Sequence, residues 1–503
     1  MLAGLINKLK RSFPLKRSDL RLFVPLALLF FLLAFVYNLL RPLKMTLVVV
    51  GSQAGAEVIP FLKLWGVLPT AFFFTFLFTQ LAKRLSRENT FYAFTAIFLA
   101  FFLCFLFFLF PYRQELALER LPALLSTLLP SGAAGFISMI RYWHLSLFYL
   151  LTEIWSPIMM SVLFWGFANE VSTVSQAAKL YALINVAGNL SAVVAGKIGL
   201  VCSEMNQFPA YCFGADEWEQ MIFLIVGIGI LTCLAIMAIF RFLCHSAVFA
   251  EKPSFENSLA SGREAKSKRP SFTLRESFRE VSKSRYLLCI CTIVVSYNLV
   301  FNLTDVLWTD QLKLHFTDSS RAFNAYLSKV TMVKGFMATI LGLFMTHLMI
   351  KRMGWRFAAL FTPVCILATS LIFFPLVIFQ QDSFLGDVVY DLWGTSLLSF
   401  SVLIGGLQNS LTRAAKYSVY DTTKEMTFIP LSVPMQRKAK AVIDGIASRL
   451  GKSGGSLIYQ ILLLTCTSLA TATPYVIVVT LIITVLWVYA VMVLDRELKI
   501  KTQ

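Results

Sequence analysis

Long apolar runs recur from one end of this chain to the other, and no other feature limits its folding as much. A helix crossing a hydrocarbon layer of ~30 Å needs about 20 predominantly apolar residues. Runs of that kind fall near 23–41, 58–82, 91–111, 142–168, 178–201, 220–241, 286–309, 324–350, 357–380, 391–412, 440–467 and 474–494. Lipid offers no hydrogen bonds, so each run must satisfy its backbone internally, as a helix does. The expected fold class is all-α integral membrane, with about 12 transmembrane helices. The charged fraction is 14% over 503 residues, against about 25% for a soluble domain. A soluble enzyme, a disordered regulator and a secreted disulfide scaffold are thereby excluded. The chain has nine Cys and four His, without metal-ligand spacing, so neither a metal nor a cofactor is expected. Cys202 and Cys212 share one expected outer loop, where pairing stays open.

The runs divide six and six about a polar stretch. The expected organisation is a basic cytoplasmic N-terminus at 1–22, a six-helix half at 23–241, a cytoplasmic central loop at 242–285, a second six-helix half at 286–494, and a tail at 495–503. No small-residue cleavage site follows the first run, so it is not read as a removed signal peptide. The net charge of +18 is distributed unevenly. Alternate loops hold Lys83, Arg84 and Arg87, then Lys351, Arg352 and Arg356, and the central loop is basic. The intervening loops hold acids such as Glu115, Glu204 and Asp382. Positive charge is retained on the cytoplasmic side, which places both termini and the central loop there, in a multi-pass protein of the cytoplasmic membrane. With no basic soluble domain present, these charges do not point to nucleic acid.

The halves echo each other. Tyr37-Asn38-Leu39 returns as Tyr297-Asn298-Leu299 at an offset of 260, and Lys83-Arg84 returns as Lys351-Arg352 at 268. Two such repeats joined by a long central loop resemble the major-facilitator architecture, whose halves rock about a midplane site.

Charges inside spans are costly, and each is a functional candidate. Lys63 lies in the second run, Glu153 in mid-run, and Asp305 toward the outer part of the seventh. Lys329 and Lys334 share the eighth run. Lys452 sits in Gly451-Lys452-Ser453-Gly454-Gly455. A phosphate-cradling P-loop would need Gly at position 446, which is Ile446, and a preceding strand. A glycine-bearing membrane helix that admits a close neighbour fits better. Several cations with two carboxylates suit an organic, phosphorylated anion. The carboxylates are left for charge balance or proton coupling. A membrane glycosyltransferase would need more acids than Glu57 in the first outer loop, so an enzyme is not expected.

The stretch Gly55-Ala56-Glu57-Val58-Ile59-Pro60-Phe61-Leu62-Lys63-Leu64-Trp65 resembles the ATP/ADP translocase family of chlamydiae, rickettsiae and plastids. The likeness continues at Phe164-Trp165-Gly166-Phe167-Ala168-Asn169-Glu170, at Lys416-Tyr417-Ser418 with Lys424-Glu425-Met426, at Ile429-Pro430-Leu431 and at Leu450-Gly451-Lys452-Ser453-Gly454-Gly455. The resemblance implies nucleotide transport by a protein of an intracellular bacterium. Lys63, Glu153 and Lys452 match the family's transport-critical charges, and Asp305 stands where the family has glutamate.

Two departures bear on mechanism. Where exchange-type members have Lys-Asp-Thr, this chain has Lys44-Met45-Thr46, and Met45 is related to Asp305 by the same offset of 260. Ser432 replaces an aspartate after Ile429-Pro430-Leu431. These changes turn the expectation toward import of nucleoside triphosphates, with a proton as the candidate coupling ion. The alternatives are an obligate ATP/ADP antiporter and, more weakly, a carrier of another phosphorylated metabolite such as NAD. Lys63, Lys452, Lys329 and Lys334 are expected to bind the substrate phosphates. Glu153 and Asp305 are expected to couple the cycle, and Trp65, Tyr149 or Tyr297 are candidates to stack on the base.

Overall fold

Each apolar run closes its hydrogen bonds within itself. The computed structural model describes residues 17–52, 55–172, 174–210, 212–245, 274–317, 319–380 and 382–502, and the regular elements among them are helices. The long ones in the first half are α1 (Arg17–Val49), α2 (Gly55–Arg84), α3 (Arg87–Leu109), α4 (Trp143–Val171), α5 (Val174–Glu204) and α6 (Glu217–His245). The second half has α7 (Arg285–His315), α8 (Ser320–Ile340), α9 (Thr346–Ile378, broken at Gly354, where φ is 82°), α10 (Leu397–Met426), α11 (Ser448–Cys466) and α12 (Leu469–Thr502).

Among the described residues nine helices are long and apolar enough to cross a membrane, or ten if α10 is joined to Ser383–Trp393, which meets it at a bend of 70°. The expected count of twelve is not confirmed on this measure. The shortfall falls on α8 and α11. Both are long enough, with 21 and 19 residues, or roughly 30 Å at 1.5 Å per residue. What they lack is apolarity: α8 carries Arg321, Lys329 and Lys334, and α11 carries Arg449 and Lys452. The charges that mark a helix as functional are the ones that hide it from a hydropathy reading.

Boundaries drawn at the first charge also fall short. The first span does not stop at 41; α1 continues to Val49 and holds Lys44 and Met45 inside the helix. Asp305 is not near the end of its helix, because α7 runs on to His315. The expected tail at 495–503 continues α12, where Lys499 pairs with a buried Asp495 at 2.9 Å. Residues 1–16 and 246–273, and with them most of the basic N-terminus and central loop, lie outside the described residues.

The packing repeats as the sequence does. In the first half α1 packs against α4, α5 and α6; in the second, α7 packs against α10, α11 and α12. The halves meet where α5 lies along α8 and α2 along α11. Both contact types depend on missing side chains. A Cβ on Gly335 of α8 would lie 2.7 Å from the Asn189 carbonyl oxygen of α5, and one on Gly451 of α11 would lie 2.9 Å from the Val295 carbonyl oxygen of α7. Small residues here let backbones approach where lipid gives no hydrophobic drive. Indoles fasten each half: Trp155 donates to the Leu33 carbonyl at 2.9 Å, and Trp308 to the Val402 carbonyl at 3.1 Å.

Polar contacts close the seam at the end where α5, α7 and α11 finish. Arg321 of α8 pairs with Glu217 at the start of α6 and donates to the Ser203 carbonyl at 3.2 Å and to the Met205 carbonyl. The Glu57 carboxylate accepts the Leu469 N–H at 3.1 Å, at the positive N-terminus of α12. Gln460 of α11 donates to the Pro60 carbonyl at 3.0 Å and accepts from the Trp65 indole at 3.1 Å.

Candidate functional site

The site begins with a defect in α1. Pro42 offers no N–H for the helix turn before it, and Lys44 follows in a polar stretch of the wall. Lys44 is 1% exposed and forms an ion pair with Glu153 of α4. Its ammonium lies 4.8 Å from the Tyr149 ring centroid and 5.6 Å from that of Tyr37, a cation–π cradle. The Thr46 hydroxyl donates to the Pro42 carbonyl at 3.0 Å and to the Asn324 side chain of α8 at 3.3 Å. Half-buried Met45 packs on the apolar core.

Lys63 stands on a wide, π-type turn of α2, Leu62–Val67. Such turns insert a residue and re-aim side chains, often at functional sites. The turn points Lys63 across the seam to α7, where it donates to Asn302 and lies 3.8 Å from Asp305. The Asn302 amide N–H₂ donates to the Lys452 carbonyl and to the Ser456 hydroxyl, both at 3.0 Å. One asparagine thus fastens the lysine-bearing turn of α11 and holds the lysine of α2.

Asp305 has a second cation. Arg413 of α10 lies 3.5 Å from it, and Asn409 donates to it at 2.7 Å while accepting from Arg413 at 3.1 Å. The Arg413 guanidinium rests 4.2 Å from the Phe301 ring centroid. A second π-type turn, Lys416–Tyr420, follows in α10. There Lys416 pairs with Asp421 at 3.1 Å and lies 4.6 Å from the ring of Tyr417, which is 50% exposed.

Three further cations share this field. Arg41 of α1 lies 6.0 Å from the Tyr37 ring centroid, over the ring that also cradles Lys44. Lys334 of α8, buried, is influenced by Arg41, Arg413 and Asp305. Exposed Lys452 is influenced by Lys416, Glu153 and Arg413. The structure forms no ion pair to these three among its described residues.

The structure therefore brings together Lys63, Glu153, Asp305, Lys334 and Lys452. Lys329 is exposed and stands apart; five positions before Lys334 on a helix is about 140° away around the axis. Gly451-Lys452-Ser453 is helical throughout and forms no phosphate loop. Tyr149 and Tyr297 are buried, Tyr297 against Phe301, Tyr420 and Trp487. Trp65 is held by Gln460. Cys202 and Cys212 are free and buried; burial pushes the Cys212 thiol up.

Arg41, Lys44, Arg413, Lys416 and Tyr417 escape a reading of apolar runs. Arg413 and Lys416 pass for topological charges, and Arg41 and Lys44 stand where hydropathy ends the first span. Their spacing is the available signal. Arg41 and Lys44, like Asn409 and Arg413, are three or four apart and share a helix face.

The family model of the TLC ATP/ADP transporter matches residues 5–498. ADP,ATP carrier protein 2 of Chlamydia pneumoniae is 39% identical over 491 residues, covering 96% of this chain and 90% of the relative. ADP,ATP carrier protein 1 of Chlamydia muridarum (strain MoPn / Nigg) is 36% identical over 97% of this chain and 90% of its own. The chloroplastic ADP,ATP carrier protein 1 of Arabidopsis thaliana is 34% identical over 97% and 75%. In fold the chain is similar to the xylose transporter XylE from E. coli in its inward open conformation, with a TM-score of 0.53 at 11% identity over 92% of this chain and 95% of that one. It is also similar to a bacterial homologue of the iron transporter ferroportin, at 0.55 and 12% over 94% and 99%. These likenesses show a major-facilitator-like fold. With the matches across nearly its whole length, the chain is a multi-pass membrane carrier and belongs to the ATP/ADP transporter family.

Proposed function

We propose that this protein exchanges ATP for ADP across the cytoplasmic membrane by alternating access, with both termini in the cytoplasm. The observation that carries the reading is the excess of cations over carboxylates at the seam between the halves, with Lys63 and Lys452 contributed from opposite halves and joined by Asn302. Phosphate groups are the ligands such a cluster suits. Lys63, Lys452 and Lys334 would hold the phosphates. Glu153 and Asp305 would take the cations back as the substrate leaves. The relatives are named as ADP,ATP carriers, and this supports exchange over net import. The departures that favoured import weigh less once their surroundings are seen. Lys44 finds its acid on α4 although Met45 offers none, and the shorter Asp305 still reaches both Lys63 and Arg413.

Labelled ATP uptake into proteoliposomes with and without internal ADP tests this. Exchange requires uptake only into loaded vesicles. Uptake into empty vesicles, driven by a proton gradient, would return the import reading, and competition by NAD would point to a different phosphorylated cargo. Lys63→Ala and Lys452→Ala should each abolish uptake; retained activity in both would rule out phosphate binding by these lysines.

A further inference from the structure

The charges at the seam do not balance. Four cations have carboxylate partners: Lys44 with Glu153, Lys63 and Arg413 sharing Asp305, and Lys416 with Asp421. Those three acids leave one of the four unmatched. Three more cations lie beside them: Arg41, 6.0 Å from the Tyr37 ring that also cradles Lys44, Lys452, whose carbonyl accepts from the Asn302 that holds Lys63, and Lys334, buried on α8; none forms an ion pair among the described residues. The site therefore holds four uncompensated positive charges, from seven cations and three carboxylates.

A nucleoside triphosphate carries roughly four negative charges at neutral pH and a diphosphate roughly three, since the terminal phosphate brings one and a half to two. Chelated magnesium cancels two of them. Charges withdrawn from water are costly unless matched, so the chelate would leave two cations uncompensated. The metal of the chelate keeps its phosphate and water ligands, so it brings positive charge and a hydration shell to a site already rich in cations. Without substrate, Glu153 and Asp305 are engaged by Lys44, Lys63, Arg413 and Asn409. No group of three or more His, Cys, Asp or Glu among the described residues has the arrangement to hold a metal.

We infer that the carrier takes its nucleotide as the free polyanion and rejects the magnesium chelate, with Arg41, Lys334 and Lys452 as the receptors that no carboxylate neutralises. The inference rests on the exchange reading above and specifies its substrate.

The test uses the purified full-length protein in ADP-loaded proteoliposomes, with labelled ATP outside. In one series total ATP is fixed and magnesium is raised from an EDTA baseline. In the other, ATP is added along with magnesium so that free ATP stays constant. The first series should lose about tenfold or more in initial rate once the chelate dominates, and the second should stay level. A rate that follows the chelate, or ignores magnesium in the first series, would overturn the inference while leaving exchange intact. Absence of saturable uptake in EDTA and in magnesium alike would overturn exchange itself. Arg41→Gln and Lys334→Gln, checked for folding by size exclusion, should each narrow the preference for free ATP severalfold. Unchanged discrimination in both folded variants would remove these cations as receptors.

Discussion

Lys63 of α2 and Asp305 of α7 approach to 3.8 Å across the seam between the two halves, and Asp305 also answers to Arg413 of its own half. One carboxylate thus serves a cation from each side. In the proposed function a substrate phosphate arriving at Lys63 would compete with Asp305 for it, and this would link occupancy of the site to the fit between the halves.

Asp305→Glu should keep transport within a few-fold, because the acid and both partners remain. Asp305→Asn leaves Lys63 and Arg413 with no carboxylate. Truncating one side of a buried charge pair costs about 2–5 kcal/mol, so exchange should fall by at least an order of magnitude. Initial uptake rates for the two variants give the comparison, and equal rates would contradict the assigned role.

Glu153→Gln should lower thermal stability, because Lys44 is then left buried and unpaired at a cost of about 3–5 kcal/mol. The double variant Lys44→Met with Glu153→Gln should recover stability without recovering transport. Melting followed by size-exclusion chromatography, beside uptake assays, separates the two effects. Transport regained by the double variant would make the pair purely structural.

Asn302→Leu should impair transport although it changes no charge. It removes the acceptor for Lys63 and the donor to the Lys452 turn. The lysines stay but lose their registration, so the turnover rate should drop while the protein elutes as wild type. A normal turnover rate would show that Asn302 only packs.

Gly335→Leu should stop the cycle. The added side chain would meet the Asn189 carbonyl and the Val193 backbone of α5, so the seam could no longer close there. The packing of α1 on α4, α5 and α6 and of α7 on α10, α11 and α12 is untouched, and the protein should still insert. Uptake assays and accessibility of an engineered cysteine at Ala322 report this; undiminished exchange would mean that the α5–α8 contact is dispensable.

Affinity for ATP should weaken as salt rises. Lys452 is exposed, and ions screen an exposed charge over a Debye length of about 8–10 Å. The KM should climb with ionic strength while the turnover rate holds. A flat KM would argue against charge-driven capture.

What the sequence determined by itself was the membrane, the helices, the two-part repeat and several of the site's charges. These depend on local physics: twenty apolar residues must be a helix in lipid, and a charge among them needs a reason. Lys63, Glu153, Asp305 and Lys452 stood out for that reason. Only the tertiary structure decided which charges face one another. Arg41, Lys44 and Arg413 looked like loop or border residues because hydropathy falls at any charge, whether it meets water or a carboxylate on another helix. The partners that make such charges tolerable lie more than a hundred residues away, as Glu153 does for Lys44 and Asp305 for Arg413. Lys329 and Lys334 share one apolar run, yet only Lys334 faces the cluster, because direction around a helix is fixed by what packs against it.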